Sequence, residues 1–274
     1  ALQFDHFEAT LQSPCIGAEI RGIDLSKPMG SELAQEIQKA LVEFKVLFFR
    51  DQNISAEQHA AFARHFGELE IHPFLPPGET AEVIRFQKDK ETVGTENIWH
   101  SDVSWREVPS LGSILRAHEV PEVGGDTLWT DMEAVYEGLD ENLKKEIEGK
   151  VAVHDFVNSF GLGLSEEDRA EKRKQFPPAP HPIVRRHPVS GRRCLYVNSI
   201  FTHRVDGLSD DASDDLLARL YQEVDVPEYQ VRFKWAPNSI AFWDNRSTQH
   251  YASSDYWPQA RVMERLTIIG DRPV

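Results

Sequence analysis

The sequence predicts a mainly β protein, a sandwich or barrel of short strands with helices packed on its outside. Three observations lead there. From Val83 onward, most segments are short runs that alternate apolar and polar residues or form brief apolar stretches, separated by turn residues. Helical spacing is confined to five segments. The chain has 274 residues, 40% of them hydrophobic, with six Trp and fifteen Phe; it fits one large domain or two small ones and can fill a sizeable core.

Each element follows from local pattern. Residues 16–24 alternate and end in a turn, which predicts a strand. Residues 31–41 have helical spacing, with Ser31 as N-cap and Glu32 and Glu36 in the first turns. KVLFFR at 45–50 reads as a buried strand. In residues 55–66, Ser55 caps a helix whose Ala60, Phe62 and Phe66 lie near one face. Further strands are expected at 83–87, 98–105, 112–118, 126–130, 152–156, 193–198, 229–235, 239–244 and 261–269, and helices at 131–139, 141–148 and 210–224. Two segments break the pattern. Residues 161–182 are charged and then Pro-rich, and residues 76–97 carry Pro76-Pro77-Gly78 and a charged run. Each reads as a surface loop or a mobile lid.

The formal net charge of −15 argues against nucleic acid and anionic membrane as partners, because both require a basic face. Cys15 and Cys194 lie far apart and match no metal spacing; a reduced setting is the simpler reading, with one disulfide as the alternative. The first residues show no basic and apolar leader, and no stretch approaches the roughly 18 apolar residues that span a bilayer. A soluble cytoplasmic protein is expected.

The chemistry concentrates in WHSD at 99–102 and QHY at 249–251. On a strand, His100 and Asp102 point to one face, and His250 from a distant strand completes a set of two imidazoles and one carboxylate. That set, with open positions, suits the facial triad of non-haem Fe(II) oxygenases. The chain has eleven His. His6, His59, His65, His118, His154, His181, His187 and His203 read as surface or satisfied core groups. Downstream, ARVMERLTIIG at 260–270 alternates as a strand, with Arg261, Met263, Arg265 and Thr267 on one face and Val262, Glu264, Leu266 and Ile268 on the other. The two Arg stand roughly 13 Å apart along the backbone and suit bidentate carboxylates or tetrahedral oxyanions; pairing with surface acids is the plainer reading. Thr127, after the Gly124-Gly125 turn, has a hydroxyl to offer a carboxylate. Pro73 fixes His72 in an extended conformation, as an anion donor or simply an exposed loop residue.

In order along the chain, IGAEIRGIDLS, VLFFRDQ, FGELEIHP, WHSDVSW, GGDTLWTD, HPIVRRHPVSGRRCLYVN, WDNRSTQHYA and RVMERLTIIGDRP strongly resemble the taurine/2-oxoglutarate dioxygenases, a family that includes sulfonate, alkyl sulfate and phenoxyalkanoate oxygenases. The resemblance covers nearly the whole chain. It implies a single domain over residues 1–274 with a double-stranded β-helix, or jelly roll, and outer helices. It implies Fe(II) held by His100, Asp102 and His250, with 2-oxoglutarate and O2 as cosubstrates. It places Arg261 and Thr127 on the distal 2-oxoglutarate carboxylate, Arg265 and His72 on an anionic substrate head group, Val103 facing that head group, and Phe160 and Phe201 as aromatic walls. A homo-oligomer is also implied.

Two positions depart from the taurine enzymes. Leu75 stands where they have a Tyr that contacts the substrate amine, and Glu96 stands in place of an Asn. The loss of the Tyr hydroxyl favours a more apolar tail, hence an alkyl sulfonate or sulfate ester, while Glu96 leaves an ammonium possible. The expected reaction hydroxylates the carbon beside the oxyanion and releases sulfite or sulfate and an aldehyde, with succinate and CO2. A phenoxyalkanoate or other carboxylate dioxygenase is the alternative within the family. A zinc-dependent hydrolase on the same ligands and a non-catalytic jelly-roll binding protein are the alternatives outside it.

Overall fold

The computed structural model describes residues 3–274. In chain order the elements are β1 (Glu8–Leu11), β2 (Ala18–Arg21), α1 (Ser31–Phe44), β3 (Val46–Phe49), α2 (Ala56–Arg64), β4 (Ile84–Lys88), β5 (Ser110–Glu119), β6 (Thr127–Asp131), α3 (Met132–Gly138), α4 (Glu141–Ile147), β7 (Val151–His154), α5 (Glu166–Gln175), β8 (Ala179–Pro182), β9 (Val184–Arg186), β10 (Arg193–Leu195), β11 (Thr202–Val205), α6 (Asp210–Gln222), β12 (Gln230–Phe233), β13 (Ile240–Asp244), β14 (Thr248–Ala252) and β15 (Arg261–Ile269). A seven-stranded sheet runs β1-β2-β3-β13-β5-β15-β4, and a three-stranded sheet runs β12-β6-β14. These two form the jelly roll. A second three-stranded sheet, β11-β7-β8, and the β9–β10 hairpin lie beyond them.

The core explains the layering. Phe48, Leu115, Ala117, Ala241, Trp243 and Met263 of the large sheet meet Trp129, Val231 and Phe233 of the small one. Phe48 stacks on Phe233 at 4.1 Å between ring centroids and meets Trp129 edge-on at 5.5 Å. The opposite face of the large sheet, with Leu47, Phe49, Ile114, Phe242, Leu266 and Ile268, is covered by Ile37 and Leu41 of α1 and Ala60 and Phe62 of α2. Alternation along each strand therefore feeds two cores. Lys45, in the left-handed region at φ 66°, ends α1. Its buried ammonium lies 3.3 Å from both Asp131 and Glu133 and ties this corner of the large sheet to β6 and α3.

Several expectations change. Residues 98–105 are not a strand: His100 forms an isolated bridge and 102–105 form a turn. The segment 161–182 holds α5, capped by the Ser165 hydroxyl, which accepts the Asp168 N–H at 3.1 Å. This helix buries none of its residues, so no apolar stripe marked it. Segment 76–97 contains β4 and otherwise irregular chain. Gly30, not Ser31, occupies the N-cap of α1, whereas Ser55 caps α2 in a reciprocal box with Gln58. Strands β1, β8, β9, β11 and β14 were not anticipated; each spans five residues or fewer. Both Cys are free thiols. No helix among the described residues is long and apolar enough to cross a membrane.

Phe48→Ala should destabilise the fold by about 3–5 kcal/mol, the cost of truncating a large core aromatic. Chemical denaturation followed by Trp fluorescence measures this, since Trp129 and Trp243 share that core.

Candidate active site

Backbone pairing brings the distant histidines together. The His100 N–H donates to the His250 carbonyl at 3.1 Å, and the His250 N–H returns a bond to the His100 carbonyl at 2.9 Å. The two rings lie 4.2 Å apart between centroids. The chain then turns sharply after Ser101, and the turn directs Asp102 back under both imidazoles. Its Oδ1 lies 3.7 Å from Nε2 of His100 and 3.8 Å from Nε2 of His250. One ligand atom from each residue lies within 4.8 Å of the others.

This donor set fits a divalent ion. The His100 Nδ1–H donates to the Ile98 carbonyl at 2.8 Å, which leaves the Nε2 lone pair for a metal. Burial, then the neighbouring His100, pushes the His250 imidazole down to about 3, so it is neutral and able to ligate. Burial alone would raise the Asp102 carboxyl. The Arg265 guanidinium foremost instead holds it well below the usual carboxylate range.

Asp102 is held by more than its charge. Asn245 accepts the Asp102 N–H at 2.7 Å and donates to the Asp102 carbonyl at 2.8 Å, and its amide also reaches the Ser110 hydroxyl at 2.9 Å. The Ser113 hydroxyl donates to Oδ2 at 3.1 Å. Val103 follows at φ 47°, a left-handed conformation that is strained for a β-branched residue.

Strand β15 supplies the cations. Its alternation against β4 is unbroken from Arg261 to Arg265; an extra residue, His118, sits in β5 opposite Val262 and Met263. Arg261, Met263 and Arg265 thus face one cavity of about 70 Å³, which His100, Thr127, Trp243 and His250 also line. Arg265 Nη1 donates to Asp102 Oδ1 at 3.0 Å. Arg261 Nη2 reaches the Thr127 hydroxyl at 3.4 Å, which also accepts the Trp235 indole N–H at 2.9 Å. Both acceptor positions of that hydroxyl are used, so its own proton is left for a ligand. Glu96 lines the same cavity but is paired with Lys88 at 2.9 Å.

His72 is buried. Its Nδ1 accepts the N–H groups of Phe74 and Leu75, each at 3.2 Å. Burial, reinforced by the Arg265 guanidinium, pushes its imidazole down to about 3. It is therefore neutral, with its proton on Nε2 as a donor. Beside it lies an aromatic cluster in which Phe160 stands 5.2 Å from the His72 ring, Phe74 stacks on Phe160 at 5.1 Å, and Phe201 stacks on its other side at 6.2 Å. Val103, Trp105, Phe156 and Phe176 complete it. Leu75 contributes its backbone; the neighbouring Phe74 supplies the apolar surface.

The sequence reading named neither Asn245, Ser113, Lys88 nor Phe74. Ser113 is a buried polar residue within the apolar run Leu111–Leu115, and that signal could have found it; Asn245 lies in the polar run 244–249, where nothing in the pattern singles it out. Phe74 lies in an irregular loop, where no apolar period marks it as part of a cluster.

The sequence matches the taurine catabolism dioxygenase TauD, TfdA family over residues 8–267. The chain belongs to this family. It is similar to an alkylsulfatase of Acinetobacter baylyi, 39% identical over 93% of this chain and 83% of that protein. It is also similar to an alpha-ketoglutarate-dependent sulfate ester dioxygenase of Pseudomonas putida, 38% identical over 94% of this chain and 88% of that one. A solved taurine dioxygenase from Burkholderia xenovorans superposes with a TM-score of 0.85 at 34% identity, covering 98% of this chain and 91% of that one. The family is defined by dioxygenase chemistry, and a His-Asp-His cluster of the kind such chemistry requires is present here. That favours an oxygenase over the zinc hydrolase and the binding protein.

Asn245→Ala should weaken Fe(II) or Mn(II) affinity by about 10–100-fold, as loss of a group that orients a metal ligand does. Metal titration of the purified variant measures this.

Proposed function

We propose that the protein is an Fe(II)- and 2-oxoglutarate-dependent dioxygenase acting on small sulfate esters or sulfonates with apolar tails. One observation carries the choice of substrate: Arg265 is bonded to Asp102 of the triad, and a neutral, proton-donating His72, close enough to feel both charges, stands against a wall of aromatic rings. An oxyanion suits the first pair, and an alkyl or aryl tail suits the second. The relatives named alkylsulfatase and sulfate ester dioxygenase support the same reading.

In this reading His100, Asp102 and His250 hold Fe(II). Arg261 and the Thr127 hydroxyl anchor the distal carboxylate of 2-oxoglutarate. Arg265 and His72 grip the substrate oxyanion and so fix which carbon faces the metal. Val103, Phe160 and Phe201 shield that carbon from water. Fe(II) with O2 and 2-oxoglutarate, when bound, supplies the oxidising power to hydroxylate the carbon beside the oxyanion. The hydroxylated ester then splits into an aldehyde and sulfate, or, from a sulfonate, an aldehyde and sulfite. Succinate and CO2 leave as the other products.

Succinate release, screened across medium-chain alkyl sulfates, alkyl sulfonates, taurine and phenoxyacetates, tests the proposal. Alkyl sulfates should give the highest kcat/KM; a preference for phenoxyacetates would overturn the substrate assignment. His100→Ala should abolish succinate release with every substrate, and a variant that retained the parental rate would remove His100 from the metal site. With Fe(II) kept saturating, because the change also removes the counter-charge of Asp102, Arg265→Ala should raise KM for the sulfated substrate by about 100-fold, the worth of a charge-assisted contact, while the affinity for 2-oxoglutarate changes little. Equal losses of both would refute this division of labour.

A further inference from the structure

Arg261 is a buried cation in a chain of net charge −15 that takes no acid as partner: among the described residues its polar side-chain contact is Thr127, and its Nε has none. Acids are nevertheless close. After Tyr256, whose ring centroid lies 5.9 Å from the guanidinium, Glu96 and Asp126 bear on it electrostatically, and Glu96 lines the same cavity. Each of these acids is held by another base. Asp126 is paired with Arg232 at 2.7 Å, and Glu96 is paired with Lys88 at 2.9 Å. Glu96 is further fixed by the Thr95 N–H, which its Oε2 accepts at 2.9 Å.

The position of Lys88 follows from strand register. It is the last residue of β4 and lies directly opposite Arg261 on β15. Side chains of opposed residues stand on the same face, so two cations project together into one cavity. Like charges so placed repel and are kept only where something offsets them. Glu96 provides that offset, and its bond goes to Lys88, leaving Arg261 unclaimed.

We propose that Lys88 is a positioning residue for the cosubstrate: by holding Glu96, it keeps Arg261 free for the distal carboxylate of 2-oxoglutarate and cancels a negative charge that would repel it. The inference rests on the assignment of this cavity to 2-oxoglutarate. Without Lys88, Glu96 is drawn to Arg261 and competes with the incoming carboxylate. Lys88 need not touch the cosubstrate.

The test titrates 2-oxoglutarate into the Mn(II)-loaded full chain by calorimetry, so that no turnover is required. Lys88→Met should weaken binding by about tenfold, the scale of one partly screened charge acting within a cavity. Lys88→Arg should bind at close to parental affinity. Lys88→Met combined with Glu96→Gln should recover most of the loss. Parental affinity in Lys88→Met, or a loss that Glu96→Gln does not reverse, overturns the inference. Arg261→Ala separates this failure from that of the underlying reading. If it loses 2-oxoglutarate while Lys88→Met does not, only the role of Lys88 falls. If it binds like the parent, the cavity assignment falls with it.

Discussion

A buried carboxylate governs this site. Asp102 is 5% exposed, and an ionised group at that depth is tolerated only if its charge and hydrogen-bonding capacity are met. Arg265 meets the charge, Ser113 takes one oxygen, and Asn245 clamps the backbone on both sides. These partners come from β15, β5 and the turn after β13, all in or bordering the large sheet. The histidines arrive from the opposite side, through the bridge between the Ile98–His100 segment and β14 of the small sheet. The site therefore exists only where the two sheets meet, and strain at Val103 is what allows the chain to turn Asp102 into it.

Strand β15 explains how one segment serves both the core and the chemistry. Met263 packs between the sheets while Arg261 and Arg265 on the same face reach the cavity. On the opposite face, Leu266 and Ile268 pack with α2, and the buried Glu264 pairs with Arg85 at 3.0 Å and His118 at 2.7 Å. A slip of one residue would exchange these faces, burying both guanidinium groups against helices and presenting a carboxylate to the anion sites. The extra residue in β5 is absorbed at His118, so β15 keeps its period against β4. The register of this strand is thus a functional constraint as well as a structural one.

Much of the fold was legible in the sequence because it depends on period. The long strands β5 and β15 and the amphipathic helices α1, α2 and α6 carry apolar residues at the spacing their burial requires. What escaped lacked that signal. The helix α5 has no buried face, β8 consists of Ala, Pro, His and Pro, and β14 is polar because it lines the site. The segment 98–105 has the pattern of a strand, which would put His100 and Asp102 on one face by their i, i+2 spacing. The structure brings the two side chains together by a bridge followed by a tight turn. Types of residue and chain-long resemblance thus carried the site reading where local geometry did not.

The question of which substrate the protein takes also changes place. In the sequence it rested on Leu75 and Glu96. The Leu75 N–H is bonded to His72, and the Glu96 carboxylate is already bonded to Lys88 within the cavity that holds Arg261. An ammonium on the substrate would have to share that carboxylate with Lys88, whose like charge repels it. Beside His72, meanwhile, the surroundings are Phe74, Phe160 and Phe201, which can only bury apolar surface. A head group that is anionic and a tail that is not satisfies every group on that side without leaving a charge unpaired. That balance, more than any single residue, favours sulfate esters with hydrocarbon tails over an aminated sulfonate.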